Sequence, residues 1–268
     1  MILRLFGRLL NIDDIEGKWV VRFMVLLCVV VRSAVFFNPY ADMDFSQAYA
    51  WLSACETAND LSQLPKTMPF NRGNVIFLIT AFLALFIVLM MGILYSALYV
   101  RSFRIRKMGK NDDGADKKTV SIGYGRILKR LLLLSLFYLA VSVPFLLISS
   151  NFIIFFCIGF PFLFTAPACY LSGDKGMFRS LSHVVRLTKG YYLAHSRTLA
   201  IIVLFFFFTD AVSGLTTYFS MTVFYILSSA FSTWVTFVFG RYAGMAYCAM
   251  DEKRGTSVST NEKESKIE

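Results

Sequence analysis

The sequence predicts an all-α integral membrane protein with six transmembrane helices and both termini cytoplasmic. Composition, six long apolar runs and the one-sided placement of cations carry that expectation. Hydrophobic residues make up 57% of the 268, Phe alone contributes 28, and only 16% are charged, against about 25% in ordinary soluble domains. A hydrocarbon core of ~30 Å takes about 20 apolar residues in a helix. The runs 20–37, 75–100, 131–149, 152–171, 199–219 and 223–248 meet that length.

Residues 1–10 alternate Ile2, Leu3, Phe6, Leu9 and Leu10 with Arg4 and Arg8, a pattern suited to a short helix lying on a membrane surface. The first span, 20–37, is the shortest and carries Arg22 and Arg32. Arg32 interrupts its apolar stretch late, and no small-residue cleavage site precedes Asp42, so the run reads as a retained span rather than a signal peptide. The following stretch, 38–72, holds Lys66 and Arg72 beside Asp42, Asp44, Glu56 and Asp60, which places it outside. Within it Phe45, Tyr49, Trp51, Leu52 and Cys55 recur at near-helical spacing, predicting a surface helix.

Ten Lys and Arg lie between Arg101 and Arg130, which marks that connection as cytoplasmic. Pro144, Pro161 and Pro167 should kink or end spans three and four by removing backbone hydrogen bonds. Between spans four and five, Lys175, Arg179, His183, Arg186 and Lys189 fall within about 120° of a helical wheel. Met177, Phe178, Leu181, Val184, Val185 and Tyr192 take the other side. This predicts a basic amphipathic helix at the cytoplasmic surface, where anionic headgroups attract cations. The tail 251–268 mixes Lys, Glu, Ser and Thr without periodicity and is expected to be disordered.

Inside the spans, ionisable residues are few and each is expensive in hydrocarbon. Asp210 is the one acid well within a run, and at ~1.5 Å per residue it lies at a depth similar to Arg241 and Arg32. A buried cluster of Asp210, Arg241 and Arg32 is therefore expected, fixing helix register or, alternatively, lining an ion or substrate pathway. Gly240 and Gly244, four residues apart, and Gly92 with Ser96 mark faces where backbones can approach closely.

Signals for chemistry are sparse. Five dispersed cysteines and two histidines form no metal-ligand or nucleophile pattern, and HExxH, GxSxG and Walker A motifs are missing from the sequence. Asp112, Asp113 and Asp116 are followed by Lys117 and Lys118 and have no Glu at the twelfth position of a calcium loop. No cofactor and no nucleic acid partner is expected.

The run Ala166-Pro167-Ala168-Cys169-Tyr170-Leu171, then Gly173-Asp174-Lys175, Met177-Phe178-Arg179-Ser180-Leu181 and Leu187-Thr188-Lys189-Gly190, resembles a pattern in several bacterial six-span membrane families. These include the membrane domain fused to some glycerophosphodiester phosphodiesterases. The resemblance covers about 131–250 and implies a proline-ended helix leading into an amphipathic segment. It implies no catalytic residue, because in the fused proteins the chemistry belongs to a separate soluble domain. The expected function is a non-enzymatic, multi-pass cell-membrane protein, an organising or accessory subunit. Its basic cytoplasmic face would bind anionic lipid or a membrane or cytoplasmic protein partner. The alternative is a transporter or channel component using Asp210 with Arg241 or Arg32.

Overall fold

A computed structural model describes residues 10–15, 17–54, 70–108, 123–148, 165–189, 191, 198, 200–204, 207, 211, 214–218 and 220–264. Every regular element among them is helical. In chain order these are α1 (Lys18–Phe36), α2 (Ser46–Ala54), α3 (Arg72–Met108), α4 (Tyr124–Ile148), α5 (Ala166–Ser172), α6 (Met177–Thr188), a 3-10 turn (Leu215–Tyr218) and α7 (Met221–Glu264). Three of them, α1, α3 and α7, are long and apolar enough to cross a membrane. Part of span five, most of span four and the N-terminal residues 1–9 lie outside the described residues.

Helix α1 starts behind Gly17, whose φ of 91° is a left-handed conformation that a side chain would strain. Its buried side is Val21, Met24, Cys28 and Val35, while Phe23, Leu26 and Val30 face outward. At the far end, α3 opens on a reciprocal cap. The Asn74 backbone N–H donates to Asn71 Oδ1 at 2.7 Å, and the Asn71 N–H donates to Asn74 Oδ1 at 3.0 Å. The Asn74 amide also donates to the carbonyls of Asp42 and Asp44, both at 2.9 Å, which ties the α1–α2 connection to this helix start. The surface helix expected in the external stretch corresponds to α2, packed through Phe45 against Phe70 and Phe77.

The core is built on α3 and α7, which lie side by side and run in the same direction. Gly240 sits against the Gly92 carbonyl and Gly244 against Ser96 and Tyr99. With no Cβ on that face the backbones approach more closely than larger residues would permit. Helix α1 runs antiparallel to both: Phe36 stacks on Tyr225 with ring centroids 4.6 Å apart, and at the other end Val21 and Met24 pack with Phe237 and Tyr95. Ile127, Leu131 and Leu134 of α4 join Ile93, Tyr170, Val238 and Tyr242 in a second apolar cluster.

Outside this core the apolar surface continues. Leu78, Ile79 and Leu83 on α3, and Leu128, Leu132, Leu133 and Leu136 on α4, are exposed. Exposed Trp and Tyr side chains include Trp19 and Tyr124 at one end and Tyr40, Tyr49 and Tyr218 at the other. From Trp19 to Phe36, α1 rises about 26 Å.

Two element boundaries differ from the sequence reading. Helix α4 begins at Tyr124 and continues one turn past Pro144 to Ile148, so that proline ends the helix less abruptly than expected. Helix α7 continues to Glu264, well past 248. Hydropathy marks where a span leaves hydrocarbon, but an α-helix ends only where backbone propensity or a cap stops it.

Candidate functional site: the cationic end of the bundle

One end of the bundle gathers residues 10–15, the C-terminal part of α3, the start of α4, α5–α6, and α7 from Arg241 onward. Three arrangements organise it.

The first is a latch made by the segment ahead of α1. Asp14 accepts from Arg106 Nη1 at 2.7 Å and from Arg241 Nη2 at 3.0 Å, joining α3 to α7 through one carboxylate. Beside it the Tyr95 hydroxyl donates to the Ile12 carbonyl at 2.8 Å, and Arg241 lies over the Tyr99 ring at 5.1 Å. Partial burial acts to raise the Asp14 pKa. The hydrogen bonds and charges of Arg106 and Arg241 outweigh it and hold the carboxyl below its usual value. Arg241 is only 2% exposed, so Asp14 meets a charge that water barely reaches.

The second arrangement caps α5. Arg130 donates to the carbonyls of Tyr170, at 2.6 Å, and Gly173, while Arg104 Nη1 donates to Ser172 O at 2.8 Å. The last carbonyls of a helix lack intrahelical partners and carry partial negative charge, so two guanidiniums there satisfy both demands. Arg126 pairs with Asp174 at 3.0 Å, fixing the turn into α6.

The third is α6 itself. Val184 and Leu187 pack with Val100, Ala166, Cys169 and Tyr247, and Ser180 and Thr188 are also buried. The opposite side presents Lys175, Arg179, Arg186 and Lys189 to the exterior. Among the described residues none of these four takes part in an ion pair. His183, the fifth member of the expected stripe, is instead turned toward α7, with Nε2 3.9 Å from Asp251 Oδ1. Phe178 and Val185, expected on the apolar side, are exposed beside the cations, with Phe178 at 78%. The packed face is centred on Val184, so the helix presents a mixed basic and aromatic surface.

The expected cluster of Asp210, Arg241 and Arg32 is not assembled from what is described. Asp210 lies outside the described residues. Arg241 takes Asp14, an acid of the connecting segment, at the cationic end. Arg32 is four residues from Phe36, which is level with Tyr225, whereas Arg241 is sixteen residues along α7 from Tyr225. That register separates Arg32 and Arg241 by about 18 Å along the bundle. Of the small-residue positions, Gly240, Gly244 and Gly92 all lie in the α3–α7 contact. No group of three or more His, Cys, Asp or Glu side chains converges as metal ligands would among the described residues. No protein-family model, characterised protein or solved structure matches this chain.

Proposed function

We propose that the protein is a non-enzymatic multi-pass protein of the cell membrane, with both chain ends cytoplasmic. In this reading it organises lipid or an accessory partner through its cationic end. Support for membrane insertion comes from the apolar exterior between the exposed Trp and Tyr side chains of the two ends, a pattern that water would penalise and a bilayer accepts. The ~26 Å rise along α1 suits a hydrocarbon core of ~30 Å. The resemblance of about 131–250 to six-span bacterial membrane domains points the same way.

The observation that carries the lipid-binding reading is the division of labour among the cations. Arg104, Arg106, Arg126, Arg130 and Arg241 are held by acids or helix carbonyls. Lys175, Arg179, Arg186 and Lys189 face outward beside exposed Phe178. A cationic strip flanked by an aromatic side chain fits the headgroup region, where the ring enters the acyl boundary and the charges meet phosphate. The transport alternative uses Asp210 with Arg241 or Arg32, and the pairing of Arg241 with Asp14 supports an anchoring role for that arginine.

Native mass spectrometry of the full chain with mixed phosphatidylglycerol and phosphatidylcholine tests the reading. Each basic residue near an anionic surface contributes ~1 kcal/mol, so Arg179, Arg186 and Lys189 changed together to Gln should reduce retained phosphatidylglycerol at least about tenfold. Retention that is equal for the two lipids, or unaffected by the triple change, would refute it.

A further inference from the structure

Hydroxyl side chains inside helices normally bond back to a carbonyl three or four residues earlier. Thr80, Ser96, Ser172, Thr188 and Thr236 do so in this protein. Ser33 Oγ on α1, and Ser229 Oγ and Thr233 Oγ1 on α7, are buried and have no hydrogen-bond partner among the described residues. Ser229 and Thr233 are both 0% exposed.

The register sets the three at neighbouring levels of the α1–α7 contact. Phe36 stacks on Tyr225, while Met24 and Cys28 share an apolar cluster with Phe237. Tyr225, Ser229, Thr233 and Phe237 form one i, i+4 ridge, so its two ends touch α1 and its two middle residues are hydroxyls. Because the helices are antiparallel, Ser33 and Arg32 stand level with Ser229, and Cys28 stands level with Thr233. A hydroxyl buried without a partner costs about 1–3 kcal/mol, and three at one interface are unlikely to be left dry by chance of packing alone. An internal water makes about three hydrogen bonds to such groups and relieves that cost.

We propose that α1 and α7 enclose a hydration site, one or more water molecules held by Ser33, Ser229 and Thr233 at the level of Arg32. Water at this depth also lowers the cost of keeping the Arg32 guanidinium within an apolar span.

Cys28 is a native reporter, since it is 0% exposed and one turn from the site. X-ray radiolysis of the full chain in nanodiscs generates hydroxyl radicals from bound as well as bulk water, and peptide mass spectrometry locates the oxidised side chains. Cys28 should be oxidised at a rate approaching that of exposed Met43, while Met90, 6% exposed in the other apolar cluster, stays protected. Ser229→Ala with Thr233→Val should lower Cys28 oxidation about fivefold and leave Met43 unchanged. Cys28 as protected as Met90 in the unaltered protein would overturn the proposal, whether or not the double variant folds. Cys28 oxidation that persists undiminished in a folded double variant would also overturn it, because the hydroxyls would then not hold the water.

Discussion

Replacing Gly240 by Ala should separate the two central helices. A Cβ built at Gly240 falls inside the van der Waals envelope of the Gly92 carbonyl oxygen, 3.2 Å from its carbon and 3.4 Å from Tyr95 Cδ1. The obstacle is backbone, so no side-chain rotation relieves it and the helices must move apart by roughly 1 Å. A gap of that size forfeits about a quarter to a half of each dispersion contact. If about thirty atom pairs at ~0.15 kcal/mol cross the interface within a turn of Gly240, the loss is about 2 kcal/mol. Residual overlap adds about 1 kcal/mol, giving an expected cost of about 3 kcal/mol. Gly244→Ala should cost less, about 1–2 kcal/mol, because its nearest obstacle is Tyr99 Cδ1 at 2.8 Å, an atom of a side chain that can shift. Gly125→Ala on α4 is the control: nothing lies within 4 Å of its Cβ, and a helical Ala gains about 0.5 kcal/mol over Gly. Unfolding in mixed micelles of mild detergent and dodecyl sulfate, followed by tryptophan fluorescence, would rank the three. A Gly240→Ala protein within about 0.5 kcal/mol of the unaltered one would refute the close α3–α7 approach, since that difference is no larger than a surface substitution.

Two further expectations concern the cationic end and the orientation of the bundle. The folded-state pKa of Asp14 is depressed, so its stabilisation is fully present above the unfolded value of about 3.9 and is lost as pH falls through the lower folded value. Stability should therefore owe no pH dependence to Asp14 from about pH 5 to 8. Asp14→Asn should cost about 1–2 kcal/mol at neutral pH, discounted for a carboxylate still partly in water, and should flatten the loss below about pH 4. An unchanged acid profile in that variant would remove the latch from the account. For orientation, in a cysteine-free background a cysteine in place of Tyr40 should react with a membrane-impermeant maleimide on intact cells, and one in place of Arg186 only after permeabilisation; the reverse pattern would invert the topology.

Much of this architecture is legible in the chain because it obeys periodic rules. The apolar runs 20–37, 75–100 and 223–248 coincide with α1 and with the N-terminal parts of α3 and α7, since length and hydropathy are what a bilayer selects. Gly240, Gly244, Gly92 and Ser96 announce the α3–α7 contact by their spacing of four. The Arg241 partner was not legible. Asp14 belongs to a short non-periodic segment, and only the doublet Asp13-Asp14 ahead of an apolar run hints that acids are held at that level. Depth estimates from run boundaries placed Arg241 with Arg32 because they assume that helices end where hydropathy does. The true extents of α3 and α7, 37 and 44 residues, show why that assumption fails. The outward turn of Phe178 was hidden for a related reason: a helical wheel gives two faces but not which arc meets the neighbouring helices.

The parallel pairing of α3 with α7 bears on how the chain is made. Its closest contacts join positions 92 and 240, and 96 and 244, each 148 residues apart. During synthesis, the groove on α3 stays open for the 148 residues that separate Gly92 from Gly240, so this contact cannot form before α7 is made. Shorter products would expose that groove to lipid or to whatever insertion chaperone stands beside the translocon. A chain cut before Gly240 would lose the glycine seam and the Arg241 partner of Asp14 together, so one truncation would undo both contacts.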